Sequence, residues 1–590
     1  MLLSFLFIIF NSNYSFLDFI FTVFTLISTT STLYLIYYIL SRLFFSFKPT
    51  IYILSIIFTF TNIVLLTDFA IFRVWGFHIN GMVLNIIFSP DAYDSLYMTT
   101  SSLLLIIFVI FILIYFQIFI LKKLSKTKIP LILNKKNKRM NLILIPSLFF
   151  IIISEKLTYA VANLHLNSYI LERTKVVPLY QPLLMDNFFI NDMGMKRVKS
   201  SNLAINIDKV TNIKYPLKPI QLQNPKTPNI FIFGIDALRS DIVSKEVTPF
   251  IYDFSKESIN FKHNISGGNC TRFGIFSIFY GINSSYWFGF LDAKKGSVLF
   301  DVLNKLNYQT SIISSVTFNW PEFRKTVFNN VQDKIKDDFK GNVLENDEQT
   351  IRYFENWIDK QNTTKPIFSF VWLDGVHARG YTKKYQKFTP DDATNDYLTV
   401  NPSERKKQFN RYKNSSLCAD AKFGDFLKKL KEKGLYKNSI IILLSDHGQE
   451  FYEYGFYGHN SAYDFKQVGS PLIIHMPDIK PYEVNYMTSH LDIVPTLMQQ
   501  LGVTNKISDY AHGKNLFDKN YKRECTFIGN WNENAIVCNK YTVVISDIIS
   551  KSFSNEVRDS NTYKILKDYD KSYINNIILE TLNENKRFSK

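Results

Sequence analysis

The sequence has 590 residues and a formal net charge of +17. A chain of this length exceeds what one hydrophobic core usually organises, so we expect two or more structural units. The four cysteines include no CxxC pair, which excludes a zinc knuckle, and charged residues are scarce before Lys122 but ordinary after about Asn167.

The first 165 residues predict a transmembrane bundle of five helices. A helix crosses a hydrocarbon core of about 30 Å with roughly 20 residues. Four uncharged stretches reach or approach that length: Phe19 to Ser41, Pro49 to Thr67, Ser95 to Leu121, and Met140 to Ser154 with its continuation past Lys156. The shorter stretch from Met1 to Leu17 lacks the basic start and the small-residue cleavage site of a signal peptide, so we interpret it as a first spanning helix.

Two basic loops predict the orientation of this bundle, because short basic loops stay on the cytoplasmic side. One runs from Arg42 to Lys48, and the other carries eight cations and no acid between Lys122 and Arg139. With five helices, the amino terminus is then cytoplasmic, and everything after about His165 lies outside, which in a bacterium means the periplasm. The second loop could instead be a nucleic-acid patch, but its apolar flanks favour a membrane anchor, and we expect no nucleic-acid partner.

Residues 166 to 227 form a proline-broken connector. It mixes apolar side chains with five cations: Arg173, Lys175, Lys196, Arg197 and Lys199. Such a mixture can bury apolar groups at the acyl boundary while the cations meet lipid phosphates, which predicts binding of an anionic lipid. The alternative is that the apolar residues pack on a globular domain and the cations are solvated.

Residues 228 to 590 predict an α/β sandwich with a largely parallel sheet, because short apolar runs alternate with helical patterns. Buried strands are expected at Asn229 to Ile235, Gln309 to Ser314, Pro366 to Leu373, Ser439 to Ser445 and Pro471 to His475. Helices are expected at Val298 to Leu306 and at Leu417 to Lys433.

Polar residues that follow these strands are candidate metal ligands, because ligands bind beyond the carboxyl ends of strands in such sheets. Asp236 follows the first strand, and Asp446 and His447 follow the strand in SIIILLSDHG. Carboxylate and imidazole groups are typical ligands of a divalent cation. Asp236 alone could be a helix cap, whereas an adjacent acid and imidazole at a strand end have no packing role.

The stretch GGNCTRFGIFSIFYG supplies a candidate nucleophile. It describes a loop that enters a helix, whose free amides favour an anion, and Thr271 lies near the helix start. Metal coordination could activate the Thr271 hydroxyl, or the residue could be an ordinary N-cap. His377 and His459 complete the set, either against the transferred group or at a second metal. Together these residues predict metal-assisted attack on a phosphate or sulfate ester.

Several motifs resemble the sulfatase branch of the alkaline-phosphatase superfamily. They are FGIDALRSD, the Thr271 loop, LLSDHGQEF, GHN, SHLDIVPTLMQQLG and HGKNLF. Preceded by membrane helices, with LLTDFAIFRVWGFHINGMVLNIIFSPD in the anchor and ENKRF near the end, the arrangement most resembles the YejM/PbgA family of inner-membrane proteins. The likeness covers essentially the whole chain.

This resemblance implies roles for the candidate residues. Asp236, Thr271, Asp446 and His447 would hold one divalent ion (Mn, Mg or Zn), with a second ion left open, and His377 and His459 would lie on the substrate side. It also implies control of lipopolysaccharide supply and outer-membrane integrity, through an anionic lipid or lipopolysaccharide and a membrane-protein partner.

Three functions follow from these expectations. The first is a metal-dependent phosphoester hydrolase or phosphotransferase that acts on lipid head groups. The second is a non-catalytic lipid sensor that regulates lipopolysaccharide synthesis and uses the fold as a scaffold, and the third is a phosphoethanolamine or phosphoglycerol transferase. The intact ligand set favours retained metal chemistry, because a pure sensor does not need metal ligands.

The cysteines bear on two further points. Sulfatases convert a cysteine to formylglycine in a C-x-P/A-x-R frame, but after Cys270 the third and fifth places hold Arg272 and Gly274. The frame fails twice, so we do not expect a true sulfatase. Cys525 and Cys538 could form a disulfide in an oxidising compartment or remain free thiols.

Overall fold

The structure is a computed structural model that describes residues 2–9, 16–43, 50–88, 100–126, 138–165, 168–185, 188–195, 213–394, 400–531, 533–546 and 555–589. The chain divides into two compact units. The first is mainly Met1–Ala204, and the second comprises Ile205–Asn395, Thr399–Ser546 and Glu556–Lys590.

Helices make up the described part of the first unit. They are α1 (Leu2–Ile9), α2 (Phe16–Leu43), α3 (Thr50–Trp75), α4 (Gly81–Ile87), α5 (Thr100–Lys126), α6 (Lys138–Leu164) and α7 (Ser168–Thr174), with a π-helical turn at Phe188–Asp192. Within the described residues, four segments are long and apolar enough to cross a membrane: Phe19–Tyr37, Tyr52–Val74, Thr100–Ile120 and Pro146–Leu164.

Among the described residues, the structure does not give the first spanning helix that was predicted from Met1 to Leu17. α1 has eight residues, which at about 1.5 Å per residue covers less than half of a hydrocarbon core. It packs inside its unit instead, where the Phe7 ring lies 5.3 Å from the Phe69 ring and 5.5 Å from the Phe72 ring. The sequence misled because an apolar helix that packs on others has the same composition as a short span.

Buried carboxylates hold the chain as it leaves the anchor. Asp68 accepts the backbone N–H of Ile79, and its Oδ2 lies 2.7 Å from His78 Nδ1. The other ring nitrogen of His78 lies 2.8 Å from the Lys175 carbonyl oxygen. The Tyr180 hydroxyl donates to Glu155 over 2.7 Å. The connector residues near Lys175 and Tyr180 are therefore fixed to the helices of their own unit.

The second unit is an α/β structure. Its helices are α8 (Pro249–Lys256), α9 (Thr271–Tyr280), α10 (Trp287–Ala293), α11 (Val298–Lys305), α12 (Val343–Asp359), α13 (Arg405–Glu432), α14 (Phe465–Val468), α15 (Ile493–Gln500) and α16 (Lys571–Glu584). Its strands are β1 (Asn229–Ile235), β2 (Ile259–Ile265), β3 (Gln309–Ser314), β4 (Ile335–Lys336), β5 (Ile367–Leu373), β6 (Ser439–Leu444), β7 (Glu450–Phe451), β8 (Tyr457–Gly458), β9 (Leu472–His475), β10 (Tyr482–Ser489), β11 (Cys525–Gly529), β12 (Glu533–Cys538), β13 (Tyr541–Ser546) and β14 (Asn555–Asp559).

The main sheet has eight strands in the order β10-β2-β9-β6-β1-β5-β3-β4. β1 lies at its centre and pairs in parallel with both β5 and β6. β9 runs antiparallel to β6 and to β2, so the sheet is mixed but mostly parallel, as predicted. The central strands are apolar throughout because both of their faces are covered.

The predicted helix at Leu417 to Lys433 begins earlier in the structure, at Arg405. The first half of α13 buries polar side chains such as Gln408, Asn410 and Asn414. Because these residues interrupt the apolar period, the sequence pattern did not reveal this half of the helix.

A second, four-stranded sheet in the order β11-β12-β13-β14 was not predicted. β11 and β12 form an antiparallel hairpin in which Cys525 lies opposite Cys538, and the two residues form a disulfide. Of the two alternatives for this pair, the structure has the bonded one. Cys270 and Cys418 are free and buried.

Candidate metal centre

Three neighbouring strands deliver acids to one edge of the main sheet. Asp236 follows β1, Asp374 follows β5, and Asp446 with His447 follows β6. Since these strands are parallel and adjacent, their carboxyl ends meet at that edge. The turn after β1 is tight: Ala237 has a φ of 58° and donates its N–H to Asp446 Oδ1 over 3.1 Å.

Thr271 joins this cluster from the start of α9. Its Oγ1 lies 3.4 Å from Asp236 Oδ2 and 3.3 Å from His447 Nε2. Cys270 is the N-cap residue, although its side chain makes no capping hydrogen bond, and Thr271 is the first helical residue. The alternative that Thr271 is the N-cap is therefore wrong, and its hydroxyl faces the acids instead.

The donor set fits a divalent cation. Asp236 Oδ1 and Asp446 Oδ2 are buried and accept no hydrogen bond from the residues that the structure describes, although such oxygens are normally paired. His447 Nδ1 lies 2.8 Å from the Gly448 carbonyl oxygen, which can only accept. Nδ1 therefore donates this hydrogen bond, and Nε2 faces Asp446 Oδ2 at 3.3 Å and Asp236 Oδ1 at 3.7 Å. Two carboxylate oxygens and an imidazole nitrogen that converge in this way are typical ligands of a divalent cation.

The electrostatics of the acids point the same way. Burial raises the pKa of Asp236 well above its usual value, and the nearby Asp446 and Asp374 raise it further. The pKa of Asp374 is also raised, first by burial and then by Asp347 and Asp446. A cation among these carboxylates would counteract both shifts, because its positive charge favours the ionised form of each acid.

A second group of donors shares Asp236 with the first. Ligand atoms of Asp236, Asp374 and His377 all lie within 4.8 Å of one another. The His459 ring lies 4.3 Å from the His447 ring and 5.2 Å from the His377 ring. Burial, then the neighbouring His447, lowers the pKa of His377 to about 3 and that of His459 well below its usual value. Both rings are neutral at pH 7 and can offer a lone pair.

Sequence reasoning missed Asp374. The signal was present, because Asp374 directly follows a predicted strand, as Asp236 does. It also missed Arg379, a buried residue with a φ of 54° whose guanidinium donates to the Tyr457 hydroxyl. No strand precedes Arg379 directly, so only the folded loop after β5 reveals it.

The structure describes two of the five cations that were predicted to bind lipid. Arg173 and Lys175 lie at the end of α7 and are half-buried in the first unit. Lys196, Arg197 and Lys199 fall outside the described residues. Among the apolar neighbours, Leu184 and Phe188 are exposed whereas Phe189 is buried. Exposed apolar side chains do lie in this segment, but its lipid contact stays a prediction.

Two family models and a named inner-membrane protein match this chain. Residues 2–222 match a domain of unknown function, DUF3413, and residues 229–503 match the sulfatase family. The inner membrane protein YejM of Salmonella typhimurium is 23% identical over 538 residues, which cover 89% of this chain and 82% of the relative. The chain is a YejM-like protein in which a DUF3413 region precedes a sulfatase-family domain. It is an inner-membrane protein with membrane helices in its first unit.

Two further matches cover a little over three fifths of this YejM-like chain. Lipoteichoic acid synthase 2 of Bacillus subtilis is 24% identical over 426 residues, or 64% of this chain and 61% of that protein. The crystal structure of a phosphonate monoester hydrolase from Agrobacterium radiobacter superposes with a TM-score of 0.50 at 13% identity, covering 61% of this chain and 96% of the other. At that identity the superposition establishes the hydrolase fold alone.

Proposed function

We propose that this chain is a metal-dependent phosphoester hydrolase or phosphotransferase acting on lipid head groups at the outer face of the inner membrane. The observation that carries the proposal is the position of Thr271 Oγ1, 3.4 Å from Asp236 Oδ2 and 3.3 Å from His447 Nε2. A hydroxyl at a helix start, beside buried acids and an imidazole nitrogen, fits an activated nucleophile.

Asp236, Thr271, Asp446 and His447 would hold one divalent ion (Mn, Mg or Zn), which would supply positive charge for the ionised hydroxyl and the phosphoryl oxygens. Asp236 Oδ2 orients the Thr271 hydroxyl by accepting its proton in a hydrogen bond. The N–H groups at the start of α9 favour an anionic group there. His377 and His459 can contact the transferred group, or with Asp374 could hold a second ion.

A phosphoester is the better substrate class than a sulfate ester, because the frame for conversion of Cys270 to formylglycine fails at Arg272 and Gly274. Burial raises the pKa of the Cys270 thiol to about 12, so Cys270 is a neutral buried side chain rather than a nucleophile. The relative named lipoteichoic acid synthase 2 supports a transferase in particular. A phosphoethanolamine or phosphoglycerol transferase is therefore the second candidate within the same chemistry.

Loop charges support a periplasmic second unit. The basic stretches at Arg42 to Lys48 and Lys122 to Arg139 are separated by the candidate spans of α3 and α5, so they share one side, the cytoplasm. The chain after the fourth candidate span then lies outside. With four spans, however, the start of α2 also lies outside, whereas five spans had predicted a cytoplasmic amino terminus.

The physiological output that we propose is control of lipopolysaccharide and outer-membrane homeostasis, as the YejM-like family implies. The ligand would be an anionic lipid or lipopolysaccharide, and a membrane protein would be the partner. A non-catalytic lipid sensor is the alternative function, and it needs no turnover.

The test uses the full-length chain in lipid nanodiscs. We expect bound divalent metal and turnover of a generic phosphodiester in the parent, and loss of both in Asp446→Ala with the fold retained. Metal content unchanged in Asp446→Ala would refute the ligand assignment. A parent that binds metal but turns over no phosphoester or lipid substrate would favour the sensor.

A further inference from the structure

The tip of the β11–β12 hairpin touches the loop that carries Thr271. Gly529 donates its N–H to the Gly267 carbonyl over 3.0 Å and forms a bridge with Gly268. The approach is close, because a Cβ on Gly529 would lie 2.2 Å from Ser284 Oγ. The second sheet therefore meets the nucleophile loop backbone to backbone, three to four residues before Thr271.

The next residue of the hairpin reaches the loop that carries His459. Asn530 Nδ2 donates to the Asn460 carbonyl over 3.0 Å. The Asn460 N–H in turn donates to the Asn269 carbonyl over 3.0 Å. The hairpin thus contacts the residue after His459, and that residue is itself hydrogen-bonded to a residue two before Thr271.

The third residue, Trp531, packs on the guanidinium of Arg272, the immediate neighbour of Thr271. The distance from Arg272 Cζ to the Trp531 ring centre is 4.3 Å, and the Trp287 and Trp320 rings lie at 5.0 and 5.8 Å. Arg272 is 3% exposed and donates to Glu322 over 2.7 Å. Cation–π contacts are stronger when the cation is desolvated in this way.

We propose that the hairpin tip, Gly529 to Trp531, is the element that positions Thr271 and His459, and that Trp531 is a positioning residue that acts through Arg272. The Cys525–Cys538 disulfide closes the hairpin at the end opposite the tip and limits its movement. The catalytic half of this inference rests on the proposed function, whereas the ordering of the loop does not. The tip touches two separate loops of the site at once, which a strand that only completes a sheet would not do.

The test compares three variants of the full-length chain in nanodiscs. Trp531→Ala removes the ring, Trp531→Phe keeps an aromatic face, and Tyr541→Ala is the control. Tyr541 is buried in the same sheet, away from the nucleophile loop, and its ring centre lies 6.0 Å from that of Tyr573. The measurements are hydrogen exchange of the amides from residue 268 to 276 and steady-state turnover of a generic phosphodiester.

We expect Trp531→Ala to speed exchange of these amides about tenfold. We also expect it to lower kcat about tenfold with KM nearly unchanged, since binding groups remain while the nucleophile is misplaced. Trp531→Phe should keep the exchange rates and kcat close to those of the parent. Tyr541→Ala should change neither the exchange rates nor kcat by more than about twofold. Unchanged exchange in Trp531→Ala, or an equal effect in Tyr541→Ala, would overturn the inference. A parent without turnover would refute the proposed function, and the exchange rates would still decide whether the hairpin orders the loop.

Discussion

Gly274 lies directly against the backbone of Asp446. A Cβ at Gly274 would stand 2.6 Å from the Asp446 carbonyl oxygen, a distance at which something must move. Because Gly274 is in the first turn of α9 and Asp446 follows β6, this contact sets the distance between the Thr271 hydroxyl and the acids. Glycine is needed here for its lack of a side chain and not for its backbone freedom.

The first prediction follows from this contact. Gly274→Ala should push α9 away from β6 and lower turnover by about a hundredfold, the scale of a misplacement near 1 Å. Bound metal, measured by elemental analysis of the full-length protein, should also fall. Gly81→Ala is the control, since its added Cβ meets nothing within 4 Å. Wild-type turnover in Gly274→Ala would show that α9 can shift without cost.

The second prediction separates Thr271 from its neighbour. Thr271→Ala should retain metal but lose turnover by about a thousandfold or more, as expected when a nucleophile is removed. Cys270→Ala should keep turnover within about twofold, because the raised pKa of this thiol leaves it neutral at pH 7. The opposite pattern would assign the nucleophile to Cys270.

The third prediction concerns stability against pH and uses Asp420, which accepts the N–H groups of Phe250 and Ile251 at the start of α8. Burial raises the pKa of Asp420 to about 7. The folded state therefore holds a proton that the unfolded state has released, so the free energy of unfolding should fall as pH rises from about 4 to 7. Urea midpoints of the full-length chain at several pH values should show this fall, and Asp420→Asn should flatten it. An equal pH dependence in the variant would exclude Asp420 as its source.

The fourth prediction concerns topology. A reporter fused after Lys136 should be cytoplasmic, and one fused after Lys590 should be periplasmic, because short basic loops stay on the cytoplasmic side. A reporter placed before Phe16 distinguishes four membrane spans from five. With four spans it should be periplasmic, and with five it should be cytoplasmic. A cytoplasmic carboxyl terminus would contradict both the orientation and the proposed chemistry.

The fifth prediction concerns the connector. Each cation near an anionic surface contributes about 1 kcal/mol to binding. The double variant Lys196→Glu with Arg197→Glu should therefore bind vesicles rich in anionic lipid more than ~10-fold less tightly than the parent. The control reverses two exposed cations elsewhere, Lys567→Glu with Lys571→Glu. Equal binding by the parent and the connector variant would remove this segment from lipid recognition.

The sequence predicted the parts of the fold in which a continuous apolar run is followed by a polar residue. β1 and β6 are continuous apolar runs because both faces are buried, and the polar residue after each run is then conspicuous. That pattern was enough to group Asp236, Asp446 and His447 at one edge, where the structure brings them together. Their roles as ligands stay predictions.

The parts that it missed depend on contacts between distant residues. The first half of α13 buries asparagine and glutamine, so no apolar period marks it. The strands of the second sheet are short, and their place beside the Thr271 loop arises from pairing across some 260 residues of chain, as between Gly268 and Gly529. Local patterns contain no information about such pairing.

The disulfide in the β11–β12 hairpin has a consequence for the timing of activity. In the proposed orientation, newly made chain is in a reducing compartment until its second unit is exported, and Cys525 and Cys538 can pair only afterwards. A hairpin that is still open holds the Thr271 loop less firmly. Export would then double as a maturation step, and copies retained in the cytoplasm would be poor catalysts toward the phosphoesters that abound there.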